Sequence, residues 1–563
     1  MGKHKVEFKY YALLLGCIVV AFLLRVLPQL KIVFVNGNVL FKATDDWYHM
    51  RLADSMMINF PFPLRYDMYA AYPSGLDVGF RPLMDWIIAG IGRIGFNYEY
   101  VGAFLPPIIG ALTLIPIYLL GRELFNKNLA LLSCFFCAIV PSEFLHRSLL
   151  GATDNHILEV FLMVIVLLLI VVALRSGKLR YFLLAGLTLS LYCLNWHGSA
   201  FLFLILVLWF VIQFFIGTKN KNFCFGVSAM FGIAYLISFK FQYTSLLVPL
   251  LVVVFVPLVF YYLRNLPRWV LPALAGVGVV LAFLLFPALR VDLRSVFIGF
   301  GSTIEEARPL ELPNAYAIYG VGLFLMFAGL YLYFKSKINT LFVVWAVVLI
   351  IAGFAQKRWG YYMIVPYSFL AAYSIFWMVD KVKKEARTMA TVLFVFLTVC
   401  TFVKGTVGVA RIPNLITNDW YGSLLWMREN TPEPFGSSDA YYSLHSEKPS
   451  YGVISWWDYG HWIIRIAHRV PVSSPANQEM KVASLYFTAR TVEEANDVIK
   501  NLNIKYVILD VGMLAFKWYA VIIKSGENTP LQDSFAYKLW TGEAEGYKLV
   551  HKEGDVRIYE KQT

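Results

Sequence analysis

Two acidic motifs beside long apolar segments contain the residue types of a metal site. Asp45 and Asp46 occur in Ala-Thr-Asp-Asp-Trp-Tyr-His-Met-Arg, and Asp154 and His156 flank an asparagine where another apolar segment begins. Carboxylate oxygens combined with an imidazole nitrogen are donors that suit Mn²⁺ or Mg²⁺ better than a thiol-selecting metal. Each motif also fits a simpler interpretation, because the first could be a solvated loop and Asp or Asn commonly caps a helix N-terminus.

Two further charged motifs are predicted on the side of the membrane that also carries the two acidic motifs. Glu306 ends the run Thr-Ile-Glu-Glu in a loop between apolar segments, and Arg358 precedes another segment. A hydrated loop explains the first, and an arginine that snorkels to lipid headgroups explains the second. The planar guanidinium of arginine also suits a diphosphate. The residues alone leave both alternatives open.

The most distinctive motif is Ser-Trp-Trp-Asp-Tyr-Gly, which ends at Gly460. Two adjacent tryptophans can fill a hydrophobic core, but an aspartate among aromatic rings must find donors if it is buried. The pattern favours an aromatic pocket around Asp458. Together with the acidic motifs, it indicates an acidic, metal-dependent active site capped by a binding domain.

The chain that positions these residues has the composition of a membrane protein. Its 563 residues are 59% hydrophobic and only 15% charged, against roughly 25% charged in soluble domains. The net charge of +13 does not indicate nucleic acid, because residues 409–563 contain 16 basic and 18 acidic side chains and the excess lies in the apolar part.

Apolar segments of about 20 residues predict membrane-spanning helices. We count 13 candidates before residue 409, so the predicted fold is a multi-pass α-helical membrane protein followed by a mixed α/β domain. The segments are 10–29, 100–120, 128–145, 156–174, 181–195, 199–216, 224–238, 244–263, 269–288, 316–334, 339–355, 359–379 and 388–407.

Basic residues collect in every second connection between these segments, as the positive-inside rule requires of cytoplasmic loops. An odd number of spans then places the N-terminus in the cytoplasm and the C-terminus outside. We predict a transmembrane catalytic domain over 1–408 with external loops at 30–99 and 289–315, and an extracytoplasmic acceptor-binding domain over 409–563. The active site is predicted on the extracytoplasmic side.

With these motifs in this order, the whole chain resembles the catalytic subunit of oligosaccharyltransferase, and most closely the short single-subunit enzymes of archaea or bacteria. Trp-Trp-Asp-Tyr-Gly is the signature of that family. The resemblance implies a membrane glycosyltransferase that moves an oligosaccharide from a polyprenyl (di)phosphate carrier to the asparagine amide of Asn-X-Ser/Thr sequons. It further implies dependence on Mn²⁺ or Mg²⁺ and inversion at the anomeric carbon.

The resemblance assigns a role to each motif. Metal ligation falls to Asp45, Asp154 and His156, and catalysis to Asp45 and Glu306. Asp46 stands where the family usually has proline. The donor phosphates would contact Arg358, with Arg147 and His197 matched by location. The acceptor would contact Trp456, Trp457, Asp458, Tyr459, Gly460, Met513, Lys517 and Glu306, with Asp510 and His461 as further candidates.

The implied partners are a lipid-linked oligosaccharide, polypeptides with Asn-X-Ser/Thr sequons and membrane lipids, with no nucleic acid and no second subunit. Two other functions are compatible with many spans and external acids. One is another polyprenyl-phosphate-dependent glycosyltransferase, which gives no reason for the residues 456–460. The other is a transporter or flippase, which would place ionisable groups near the bilayer midplane and often contains inverted repeats.

Overall fold

The structure is a computed structural model, and it describes most of the chain. The described residues are 2–216, 220–241, 244–267, 270, 273, 305–336, 339–444, 447–476 and 480–562. Most of the predicted span 269–288 and most of the predicted loop 289–315, including Thr303 and Ile304, therefore lie outside the described residues.

Helices dominate the described part of the chain up to residue 410. The α-helices there are Gly2–Val26, Leu30–Val33, Thr44–Asn59, Leu83–Arg93, Tyr98–Leu112, Leu114–Leu124, Lys127–Ile139, Glu143–His146, His156–Ser176, Leu179–Asn195, Ala200–Ile216, Lys221–Ser238, Thr244–Tyr262, Leu312–Tyr319, Gly322–Phe334, Thr340–Ala355, Gly360–Val379, Arg387–Cys400 and Val403–Ala410. Short 3₁₀ turns in the same part are Leu27–Gln29, His197–Ser199, Phe239–Phe241, Glu305–Ala307, Lys357–Trp359 and Lys384–Ala386.

Six described helical segments are long and apolar enough to cross a membrane, and eight if two bent pairs each count as one span. The six are Phe8–Val33, Tyr98–Leu124, His156–Ser176, His197–Ile216, Lys221–Phe241 and Lys357–Val379. Four other apolar helices are shorter: Lys127–Ile139, Leu179–Asn195, Leu247–Tyr262 and Thr340–Ala355. The protein is thus a membrane protein with several apolar helices, but the predicted count of 13 spans is not confirmed.

The bent pairs show why apolar length alone overstates straight spans. Leu312–Tyr319 and Gly322–Phe334 meet at an angle of 94°, and Lys384–Cys400 and Val403–Ala410 meet at 53°. Gly320 lies at the first break with φ +56°, a left-handed conformation that glycine adopts at little cost. A Cβ atom there would also collide with the hydroxyl of Thr401.

The chain divides into two compact units. The first contains Met1–Leu30, Phe104–Leu150 and Asn155–Ile412. Aromatic rings fill part of its interior, and Phe125 is the centre of one such cluster. Its ring lies 5.3 Å from that of Phe342 and 5.8 Å from that of Phe369, between centroids. Other apolar side chains of this unit are exposed, such as Val392 and Phe396, as expected of helices that face lipid.

The second unit contains Lys31–Ala103, Gly151–Asp154 and Pro413–Thr563. Its main sheet has four strands in the order Gly452–Ile454, Ile504–Asp510, Val556–Lys561, Tyr547–Glu553. The first two strands are parallel and the other neighbours antiparallel. Two-stranded ribbons pair Phe34–Val35 with Asn38–Val39 and Tyr66–Asp67 with Leu76–Asp77.

Short helices surround this sheet, so the part of the chain after residue 413 has the mixed α/β character expected of it. They are Asn418–Asn430, Gly460–Trp462, Met480–Thr488, Val492–Val498, Trp518–Ser525 and Phe535–Thr541, with 3₁₀ turns Ser438–Tyr442, Trp457–Tyr459 and Leu531–Asp533 and π-helical turns Ile463–Ala467 and Met513–Lys517. The predicted domain boundaries stay a prediction.

A hydrophobic cluster within the second unit anchors the helix Thr44–Asn59. Tyr48 and Leu52 of this helix pack in one buried cluster with Tyr441, Ile464 and Val470. Burial of such side chains contributes roughly 1.5–3 kcal/mol each. The cluster therefore fixes the helix that carries the first acidic motif against the segment that follows Trp-Trp-Asp-Tyr-Gly.

Candidate active site

Asp45 and Asp46 lie in the first turn of the helix Thr44–Asn59, where the backbone charge favours carboxylates. The backbone N–H of Ala43 donates to Oδ2 of Asp46 at 2.6 Å, so this buried carboxylate caps the helix. The side chain of Asp45 is 41% exposed. The structure thus distinguishes the two neighbours, because one carboxylate is used in capping and the other is accessible.

Negative charge accumulates at this end of the helix. Burial raises the pKa of Asp46 to about 7, and the charges of Asp154 and Asp45 raise it further against the opposing hydrogen bond from Ala43. Carboxylates repel one another unless a cation or a donor compensates them. The three aspartates therefore form a region of the second unit that would attract a cation.

His49 links one of these aspartates to a residue that the sequence analysis did not select. Its Nδ1 lies 2.8 Å from Oδ1 of Asp85, and its Nε2 lies 3.5 Å from Oδ1 of Asp154. Burial alone would lower the pKa of His49, but Asp85 and Asp154 outweigh it and raise that pKa well above 6.5. The i+4 spacing from Asp45 was the signal in the sequence that would have found His49.

His461 follows the aromatic motif directly and contacts Asp45. The buried imidazole stacks on the ring of Tyr48 with centroids 4.5 Å apart, and its Nδ1 lies 3.4 Å from Oδ1 of Asp45. The sequence analysis matched His461 by location only. The structure places it within the second unit between the aromatic motif and the first acidic motif.

The aromatic motif forms a 3₁₀ turn, Trp457–Tyr459, that leads into the helix Gly460–Trp462. Trp456 and Tyr459 are buried, whereas Asp458 is partly exposed and its Oδ2 accepts from Nζ of Lys517 at 2.8 Å. Gly460 is required by packing, since a Cβ there would lie 2.5 Å from the carbonyl oxygen of Ser473. The turn thus presents the carboxylate of Asp458 at the edge of an aromatic wall, which consists of Trp456, Trp457 and Tyr459.

Asp510 holds this turn in place. Its Oδ1 accepts from the hydroxyl of Tyr459 at 2.9 Å and from the backbone N–H of Met513 at 2.8 Å. Its Oδ2 accepts from the indole of Trp420 at 2.9 Å. Asp510, Met513 and Lys517 thus lie beside the aromatic motif, as their assignment to one pocket expects.

Glu306 lies in the first unit, in the turn Glu305–Ala307, with a side chain that is 48% exposed. Its Oε2 accepts from Nη2 of Arg147 at 2.5 Å, and Nε of the same arginine lies 3.3 Å from Glu143. Arg147 thus connects the partly exposed Glu143 to the exposed Glu306.

The other predicted residues of the first unit lie in turns or at a helix start. Arg358 lies in the turn Lys357–Trp359, with its guanidinium 5.5 Å from the ring centroid of Trp359. The ring of His197 is 6.0 Å from that of Trp196. His156 begins the helix His156–Ser176, and its Nδ1 lies 3.2 Å from Glu159, an acid that the sequence analysis did not select.

No group of three or more His, Cys, Asp or Glu side chains within the described ranges is already arranged around a metal position. The chemistry of the second unit nevertheless fits a hard divalent cation. Asp45 and Asp154 offer carboxylate oxygens, which Mn²⁺ and Mg²⁺ prefer. Burial is the main cause of the raised pKa of Asp46, and the charges of Asp154 and Asp45 add to it.

The helical membrane part and the C-terminal α/β region together have the fold of a membrane glycosyltransferase. Residues 15–410 match the family model described as oligosaccharyl transferase STT3, N-terminal, and residues 417–514 match the AglB core domain. The chain belongs to the STT3 oligosaccharyl transferase family, and it is an oligosaccharyltransferase of the archaeal single-subunit type.

Relatives from Archaeoglobus fulgidus support this assignment. Dolichyl-phosphooligosaccharide-protein glycotransferase 3 is 29% identical over 613 positions, covering 91% of this chain and 70% of the relative. The oligosaccharyltransferase structure in the apo form has a TM-score of 0.88 at 25% identity, covering 97% of this chain and 80% of that one.

Two related structures contain ligands. AglB of the same organism, in complex with an inhibitory peptide and a dolichol-phosphate, has a TM-score of 0.84 at 25% identity, covering 96% of this chain and 72% of that chain. The oligosaccharyltransferase tethered with an acceptor peptide containing the NVT sequon has a TM-score of 0.80 at 25% identity and the same coverages.

Proposed function

We propose that this enzyme transfers an oligosaccharide from a polyprenyl phosphate or diphosphate to the asparagine amide of Asn-X-Ser/Thr sequons. The observation that carries the proposal is the turn Trp457–Tyr459, which presents Asp458 beside Lys517 at the edge of an aromatic wall. A carboxylate there can accept a hydrogen bond from the hydroxyl of a sequon serine or threonine. The complexes of the relatives with a dolichol-phosphate and with a sequon peptide support both substrates.

The preference for serine or threonine in the sequon follows from a hydrogen bond to the hydroxyl of that residue. A site that uses a buried or half-buried polar group to bind an OH rejects an analogue that lacks it, because the polar group is then left without a partner. Asp458 is the acceptor in this proposal, and Trp456 and Trp457 form the apolar walls. Asp510 and Met513 support the pocket from behind.

Two carboxylates activate the acceptor amide. An amide nitrogen is a poor nucleophile because its lone pair is delocalised into the carbonyl. Asp45 and Glu306 would each accept one N–H of the amide, which weakens that conjugation and orients the nitrogen toward the anomeric carbon. Direct displacement by this nitrogen inverts the anomeric configuration. Glu306 must exchange Arg147 for the acceptor, and its exposure permits this exchange.

We further propose that Asp45, Asp154 and His156 hold Mn²⁺ or Mg²⁺. The bound ion would supply Lewis-acid stabilisation of the departing phosphate. Arg358, Arg147 and His197 would bind the carrier phosphates, for which arginine is well suited as a planar donor.

The 13 spans, the domain boundary at residue 408 and the orientation belong to the same proposal. Basic residues in alternate loops place the N-terminus in the cytoplasm and the C-terminal domain with the active site outside. The protein acts as a single subunit among membrane lipids. Labelling of a tag at residue 563 from the cytoplasmic side would contradict this orientation.

The direct test of the transfer uses membranes that contain the protein, a lipid-linked oligosaccharide, Mn²⁺ and a fluorescent Asn-X-Thr peptide. We expect a shift of the peptide in a gel, no shift with a Gln-X-Thr peptide, and no shift after EDTA until Mn²⁺ is added back.

Glu306→Gln should lose most of the turnover while the peptide still binds. Full activity of this variant would remove Glu306 from the mechanism.

A further inference from the structure

Within the second unit, Asp85, His49 and Asp154 form a buried line of three side chains that contains one candidate metal ligand. His49 is fully buried and the side chain of Asp85 is 2% exposed. His49 lies within the first acidic motif, but the resemblance assigns no role to it or to Asp85, and the proposed function places neither in contact with the donor or the acceptor. Such a buried polar group needs a reason, because burial of an imidazole and a carboxylate costs free energy unless they are paired.

The imidazole of His49 has a fixed orientation. Nδ1 is 2.8 Å from Oδ1 of Asp85, and the ring of Phe80 packs against it edge to face, with centroids 4.9 Å apart and planes at 84°. The helix Thr44–Asn59 fixes the backbone. A ring that is held at one nitrogen and on one face can direct its second nitrogen in only one direction.

That second nitrogen faces Asp154. Nε2 is buried and, within the described part of the chain, makes no hydrogen bond of ordinary geometry, yet it lies 3.5 Å from Oδ1 of Asp154. A nitrogen of a ring with a fixed orientation, at this distance, restrains the rotamer of the carboxylate that it faces.

We propose that His49, oriented by Asp85, is a positioning residue that holds the carboxylate of Asp154 for the divalent cation. The proposal rests on the proposed function, in which Asp154 is a metal ligand. The role corresponds to the outer partners of metal ligands in general, whose loss typically weakens metal affinity about 10- to 100-fold.

The test measures Mn²⁺ binding to the purified full-length chain, by the EPR signal of free Mn²⁺ during a titration. His49→Phe keeps a ring of similar size and removes both nitrogens, so we expect a dissociation constant at least about 10-fold larger. His49→Gln keeps an N–H near the position of Nε2 and should recover part of the affinity. His551→Phe is the matched control, because His551 lies in the same unit, stacks on Trp426 and is far from the cluster in sequence; its affinity should equal that of the unsubstituted chain.

Transfer activity gives a second readout. If His49 acts through the metal, the activity of His49→Phe should recover toward that of the unsubstituted enzyme at saturating Mn²⁺, whereas a purely structural defect would not respond to Mn²⁺. Should His49→Phe fail to fold, His49→Gln and Asp85→Asn decide the question, and we expect weaker Mn²⁺ binding in both.

The outcomes separate this proposal from the proposed function. Mn²⁺ binding by the unsubstituted chain that is unchanged in the folded His49 and Asp85 variants overturns the positioning role and leaves the metal site intact. No Mn²⁺ binding by the unsubstituted chain overturns the metal site itself, and the positioning role with it.

Discussion

The carboxylates near the two ends of the helix Thr44–Asn59 have opposite environments. Near its C-terminal end, Asp54 accepts from the hydroxyls of Tyr98 and Tyr441 at 2.8 and 2.9 Å, and Arg465 lies 3.3 Å away. At its N-terminal end, the cap at Asp46 has a pKa raised to about 7 by burial and by neighbouring carboxylates.

The difference separates acids that stabilise the fold from acids to which the proposed function assigns a ligand. A buried carboxylate with several donors is satisfied by the protein itself, whereas the same helix presents the partly exposed carboxylate of Asp45 at its other end. The contrast recurs in the aromatic motif, where Asp510 has three donors from the protein and the partly exposed Asp458 is paired with Lys517.

The largest effect on stability is expected at Arg465, which pairs with Asp54 near the C-terminal end of the helix Thr44–Asn59. Arg465→Leu leaves Asp54 and Glu99 without the arginine that lies 3.3 and 2.6 Å from them. Removal of one partner from a buried pair costs about 3–5 kcal/mol, so the temperature at which half of the detergent-solubilised protein loses its monodisperse state should fall strongly. The exposed Arg428→Leu serves as control. An equal fall in both variants would contradict a structural role for the network.

A substitution at the N-terminal end of the helix is expected to change transfer activity and not stability. Asp45→Asn is expected to lower the rate of transfer about 10²- to 10³-fold, the range found when one preorganised group is removed from an active site, with little change in thermal stability. Asp54→Asn on the same helix is the matched control and should lose stability while folded molecules retain transfer. If Asp45→Asn and Asp54→Asn both lose stability, or both lose transfer activity, the proposed difference between the two ends of the helix is wrong.

A smaller effect is expected at Asp458. Asp458→Ala should raise KM for Asn-X-Thr peptides and reduce the preference for threonine over valine at the third position, by about 1–3 kcal/mol or roughly 10- to 200-fold. Exposed Asp439→Ala, in the same unit, should change neither. Unchanged discrimination between threonine and valine in Asp458→Ala would remove this carboxylate from hydroxyl selection.

The last prediction is a pH dependence of stability at Asp46. Its pKa is about 7 in the folded protein and 3.8 in its usual state, so the folded state retains a proton that the unfolded state releases between these values. Stability from this group therefore falls as pH rises from about 4 to 7 and is level above 7. Thermal midpoints in EDTA should show this fall, and Asp46→Asn should lack it. Parallel pH profiles would show that Asp46 is not buried as an acid.

Membrane character, the mixed C-terminal region and the family were all predictable from the sequence. Each of these depends on local composition or on a contiguous motif, and such signals survive without knowledge of the fold. The count of straight spans was less predictable, because apolar length does not reveal a break such as that at Gly320, where the flanking helices meet at 94°.

The sequence by itself determined which side chains can carry the chemistry, since Trp-Trp-Asp-Tyr-Gly and the acidic pairs are contiguous in the chain. Only the tertiary structure decided their partners. Asp85, His49 and Asp154 come from separate segments that meet in the second unit. Their charges act on one another because folding removes the water between them, and no spacing in the sequence encodes that distance.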